Sequence, residues 1–142
     1  MSQAALDEAR GVKLLFLILV AGGAVVALVF IVMVTVRGPI LQPDSGTNVI
    51  AFAMAGVSLT AVAFAALLLR PRVPARPPSM PVSEYWTPAS KAPSLLVWIV
   101  CENAGIVSAL GYLLTGSFVT LVTLAIALLA LAWYSPARLA NE

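Results

Sequence analysis

Between Ala92 and Ala137 the chain carries one ionisable acid, Glu102, in the stretch V-C-E-N-A-G (residues 100–105), followed directly by the amide of Asn103. A carboxyl set among apolar residues can take up and release a proton or cation, or it can stay neutral and hydrogen-bond to a neighbouring helix. Asn103 can do only the second. Other chemistry is scarce, because the 142 residues include no histidine and a single cysteine, Cys101. That rules out imidazole ligation of a metal or haem, an intrachain disulfide and a cysteine metal cluster. Cys101 itself reads as a small buried hydrophobe. There is also no paired acid, no serine with a plausible base and no glycine-rich phosphate loop. The sequence therefore predicts a non-catalytic protein with no metal and no cofactor.

The elements that must hold Glu102 follow from composition. The chain is 61% hydrophobic and 10% charged, against roughly 25% charged residues in soluble domains. A membrane-crossing helix needs about 20 apolar residues. Leu14 to Val36 gives 23 residues free of Asp, Glu, Lys and Arg, and Asn48 to Leu69 gives 22. Ala92 to Ala137 is long enough for two spans. Its best break is Thr115-Gly116-Ser117, with Gly116 in a left-handed C-terminal position and Ser117 capping the next helix. The predicted fold is thus all-α and polytopic, with four transmembrane helices forming two antiparallel hairpins. An N-terminal segment (1–13) precedes hairpin 1 (14–69, spans 14–36 and 48–69). A proline-rich basic linker (70–92) leads to hairpin 2 (93–134, spans 93–114 and 117–134), and a tail (135–142) follows. Pro93 is placed in the first turn of span 3. The first span is expected to persist as a permanent helix, not a cleaved signal.

Basic residues set the expected orientation. With the N-terminus inside, Arg10, Lys13, Arg70, Arg72, Arg76, Lys91 and Arg138 fall on the cytoplasmic side and Arg37 alone outside. Both termini are therefore predicted to be cytoplasmic. The positive charge suits lipid headgroups and not nucleic acid. From Arg70 to Pro93 there are seven prolines in 24 residues, which predicts an extended connector, with Tyr85 and Trp86 as interfacial anchors.

Glu102 lies nine residues after Pro93, about 13 to 14 Å along the helix and near mid-membrane. At 100° per residue, Trp98, Gly105 and Ala109 share its face, and the small pair Gly105 and Ala109 lets another helix approach closely. Ser58, Thr60 and Thr123 have the right depth to hydrogen-bond the carboxyl. All eight lysines and arginines lie outside the spans. Glu102 is accordingly expected to be neutral unless another chain or an ion supplies positive charge.

The segment W-I-V-C-E-N-A-G-I-V-S-A-L-G-Y-L-L-T-G (Trp98 to Gly116) resembles a W-x3-E-x12-T-G pattern found in a group of small, functionally uncharacterised four-span bacterial membrane proteins. Tyr112-Leu113-Leu114 and Pro136 fit the same pattern. This likeness covers about a third of the chain. It implies a four-span protein of the bacterial inner membrane and singles out Glu102. The site alone is loosely similar to the proteolipid c subunits of rotary ATP synthases, which carry their acid on the second helix of a hairpin, whereas here it is on the first.

Two functions are compatible with these residues. The first is an accessory or structural membrane subunit that packs in a homo-oligomer or a larger membrane complex, with Glu102 as a neutral interhelical hydrogen-bond group. The second is a proton- or ion-coupled oligomer in which Glu102 is the carrier. The partners expected are the lipid bilayer and either further copies of the chain or another membrane protein.

Overall fold

The computed structural model describes residues 3–140. Residues 1–2 and 141–142, the ends of the two expected cytoplasmic segments, lie outside that range. The described residues are helical with no strand. They form α1 (Gln3–Arg37), α2 (Ser45–Phe64), α3 (Val82–Tyr85), α4 (Pro88–Thr115), α5 (Phe118–Trp133) and α6 (Pro136–Leu139). Three of these helices are long and apolar enough to cross a membrane: α1, α2 with its continuation to Arg72, and α4. The fourth apolar helix, α5, has 16 residues.

Local chemistry explains the ends. α1 stops at Arg37 because Gly38 turns to φ +81, a conformation that costs glycine little. Asp44 caps α2, its Oδ1 accepting from the Thr47 amide at 2.6 Å. That bond, made to the ionised carboxylate, holds the Asp44 carboxyl below its usual range. At its far end α2 widens into a π-helical turn (Ala65–Leu69) and then tightens into a 3-10 turn (Arg70–Arg72). The widening sits directly ahead of Pro71, which has no N–H to continue the ladder and whose ring would meet the Leu67 carbonyl in a regular helix.

α4 is the axis of the molecule. It packs against α1, α2 and α5, while α1 and α2 barely touch each other. This corrects the expected pairing of the first two spans. The hairpin of α4 and α5 is a packed pair, but α1 and α2 lie on separate sides of α4. The loop between them is tied to α4 as well, since the amides of Ile40 and Leu41 donate to the carbonyls of Leu113 and Leu114 at 3.1 and 2.8 Å. Those carbonyls belong to the last turn of α4 and have no partner within the helix. The α4–α5 turn follows the sequence reading at Gly116 (φ +63). Ser117, however, gives no side-chain cap; its amide donates to the Thr115 hydroxyl oxygen at 3.2 Å instead.

The opposite end holds the main apolar core. Val12, Leu69, Val73, Tyr85, Trp86, Trp98, Leu131 and Leu139 are buried there together. Tyr85 and Trp86 are 4% and 3% exposed, so they are core residues and not the interfacial anchors expected from sequence. The proline-rich segment folds down over the helix ends. Tyr85 donates to the Pro74 carbonyl at 2.7 Å and Arg76 Nε to the Ala140 carbonyl at 2.6 Å. Proline stiffness lowers the entropy lost when such a segment is pinned. Burial also pushes the Tyr85 phenol above its ordinary value.

Pro93 is a second correction. α4 starts at Pro88, one residue after the N-cap Thr87, whose side chain forms a reciprocal capping box with Ser90. Pro93 therefore sits inside the helix, close enough to the start that it removes only one ladder bond.

Candidate functional site

Glu102 stands at the middle of α4, fourteen residues after Pro88 and thirteen before Thr115. Its side chain turns toward α1, where two consecutive glycines leave room for it. A Cβ placed on Gly22 would be 3.6 Å from Glu102 Oε1, and one on Gly23 would be 3.7 Å from its Cγ. The carboxyl thus lies against bare backbone. Among the described residues it has no hydrogen-bond donor and no cation. The ion pairs of Arg10 with Asp7 and of Lys91 with Glu8 lie at the starts of α1 and α4, away from Glu102.

The three hydroxyls expected to reach the acid do other work. Ser58 on α2 donates to the Ala104 carbonyl at 2.9 Å. The Ser108 hydroxyl lies 2.7 Å from Ser58 Oγ and 2.9 Å from Thr123 Oγ1. Ser58, Ser108 and Thr123 are all buried, and together they join α2, α4 and α5. Thr60 donates to the Gly56 carbonyl of its own helix at 2.8 Å. Ser58 and Thr123 meet α4 close to Glu102 in sequence, at Ala104 and Ser108, but they approach it from sides away from α1. Asn103, too, bonds within its own helix, donating to the Ile99 carbonyl at 2.8 Å while its side chain stays exposed.

The three packing residues sit at helix contacts. Trp98 is 1% exposed, meets Phe16 of α1 edge-on at 5.2 Å, and donates its indole N–H to the Tyr134 carbonyl at 2.6 Å. Gly105 faces α5, where an added Cβ would be 3.8 Å from the Ala127 Cβ. Ala109 is buried with Ala27 of α1 and Leu124 of α5. Sequence reasoning did not single out Ser108, the hydroxyl that joins three helices. It missed Gly111, where a Cβ would come within 2.9 Å of the Thr120 methyl and 3.2 Å of the Met54 Cβ. A glycine three residues after Ser108, within a helix of small residues, was the available signal.

The chain matches no family model, no curated protein and no solved structure. The chemistry of the site therefore rests on its own geometry. A carboxyl pressed against two glycines, with no donor among the described residues, can exchange a proton or meet a group from outside; it does not join α4 to α1, α2 or α5 by a hydrogen bond.

Proposed function

We propose that this protein is a non-catalytic, four-span membrane protein that serves as an accessory or structural subunit, assembling with copies of itself or within a larger membrane complex. The observation that carries this reading is a division of labour among its polar groups. The buried hydroxyls between α2, α4 and α5 are bonded to one another, whereas Glu102 and Asn103, side by side at the middle of α4, take nothing from any other helix among the described residues. Polar groups at such depth are costly unless something satisfies them. A group from outside the chain supplies what its own helices do not.

The fourth span in this proposal is α5. At 1.5 Å per residue its 16 residues reach about 24 Å, short of the roughly 30 Å hydrocarbon core. A bilayer adapts to a few ångströms of mismatch at modest cost. Its outward face carries Phe118, Val122, Ile126, Leu129 and Trp133, all exposed, as a lipid-facing helix requires. The Arg138 guanidinium stacks 3.7 Å above Trp133, which suits the headgroup level.

The seven cations gathered at the Trp98 end, against Arg37 at the other, support placement in a bacterial inner membrane with both termini cytoplasmic. An alkaline phosphatase fusion after Gly116 is expected to be active and one after Arg76 inactive; the opposite pattern would reverse the orientation.

A proton- or ion-coupled oligomer with Glu102 as carrier is the second reading, favoured by the absence, among the described residues, of any donor to that carboxyl. One experiment separates the two. Two differently tagged copies are expected to co-purify from mild detergent, and Glu102→Gln to leave both their recovery and the cellular phenotype unchanged. Assembly that survives Glu102→Gln while the phenotype is lost selects the carrier reading. Tagged copies that come out alone, with no other membrane protein, would refute assembly altogether.

A further inference from the structure

α1, α2 and α5 cover three sides of α4 and leave the fourth open. Along that open side run Leu96, Ile99, Asn103, Ile106 and Leu110, spaced three, four, three and four residues apart. This is the heptad alternation of a helix that pairs with another helix, with Leu96, Asn103 and Leu110 in one of the two seam positions and Ile99 and Ile106 in the other. Leu96 and Leu110 are 51% and 38% exposed, Asn103 is exposed, and the two isoleucines are half-buried. A single asparagine in the seam of an otherwise aliphatic heptad fixes register and partner number at some cost in stability.

The amide is also half-used. Nδ2 donates one hydrogen to the Ile99 carbonyl, which leaves its second N–H and the Oδ1 acceptor. One donor plus one acceptor is a self-complementary pair, and the group that matches it is the same amide on a second copy. Symmetry supplies that copy in register. Copies inserted with the same orientation are related by an axis along the membrane normal, so helices meeting across a two-fold axis run parallel and each residue meets its own equivalent.

Building on the self-assembly reading above, we propose that α4 is the dimer helix: two copies pack their open α4 stripes in parallel, and the Asn103 side chains hydrogen-bond to each other across the two-fold axis. Lipid on this stripe would leave the amide's remaining donor and acceptor unmet. A second α4 satisfies both and buries Leu96 and Leu110 on either side.

Single cysteines introduced at Leu96 and Leu110 in the full chain carrying Cys101→Ala test this, with oxidation in native membranes. Both are expected to give disulfide-linked dimers, while cysteines at Leu28 of α1, Val57 of α2 and Leu129 of α5 give none. Asn103→Leu, which keeps an apolar helix, is expected to lower dimer association roughly three- to twentyfold, the range typical of polar contacts between helices in lipid. Asn103→Gln should restore much of it. If tagged copies still co-purify but cross-link through α1, α2 or α5, or if Asn103→Leu dimerises as well as the parent, the α4 proposal falls and self-assembly stands. If no position cross-links and no copies co-purify, both fall.

Discussion

Trp98→Ala is expected to lower the stability of the folded chain by about 3 to 5 kcal/mol, the range for deleting a fully buried large aromatic. Three losses coincide at this residue. The indole fills the space between α1 and the proline-rich segment, meeting Phe16 at 5.2 Å and Trp86 at 6.2 Å. Its N–H is a donor to the Tyr134 carbonyl at the end of α5. With Trp98 1% exposed and Trp86 3% exposed, neither the neighbouring helices nor solvent can easily fill the hole. Unfolding by graded addition of a denaturing detergent to protein in mild micelles provides the measurement. Trp98→Phe retains most of the volume and loses only the hydrogen bond, so it should cost about 0.5 to 1.5 kcal/mol. Equal effects from both substitutions would mean that the hydrogen bond, and not the packing, holds this end together. A Trp98→Ala protein within 1 kcal/mol of the parent would refute the core assignment.

The second large effect is steric. At Gly111, α4 passes so close to α2 and α5 that even a methyl group would sit 2.9 Å from Thr120 Cγ2 and 3.2 Å from Met54 Cβ. Gly111→Ala must therefore shift two helices at once, with a cost of about 1 to 3 kcal/mol for overpacking. Gly111→Leu adds three more carbons at the same point and is expected to abolish the native arrangement of α2, α4 and α5. Gly56 supplies the control, because nothing lies within 4 Å of its hypothetical Cβ. Gly56→Ala should leave unfolding unchanged or slightly harder, since alanine is the better helix former. The same detergent titration reads all three variants, and a Gly111→Leu protein that unfolds like the parent would show that the close crossing is not required.

Much of the helical framework was legible because hydrophobic runs, charge and glycine are local signals. The ends of the apolar runs announce α1 and α2, and Gly116 announces the tight turn before α5. What escaped sequence reading was direction around a helix. Counting residues places Ser58, Thr123 and Glu102 at similar depth, yet whether a hydroxyl meets the acid depends on which side of α4 its helix occupies. Only the tertiary packing determines that. Thr60 and Asn103 illustrate a related problem: short polar side chains on a helix have a backbone carbonyl four residues back within reach, and they use it. The start of α4 differs from the sequence expectation because Pro93 and Pro88 both suit a first turn. The threonine before Pro88 and the serine three positions on from it carried the deciding signal. Tyr85 and Trp86 were assigned to the interface by residue type, whereas the fold uses them to seal the core.

The central position of α4 has a consequence for how the protein is made. During synthesis α1 and α2 emerge first, yet each finds its main packing surface on a helix that has not been translated. In the membrane placement proposed above, two helices that barely touch each other would wait in the lipid as separate rods, and they are the more apolar of the three long helices, well suited to do so. The helix carrying the acid and the amide arrives later, into a membrane where the glycines that will flank Glu102 and the serine that will meet Ser108 are already in place.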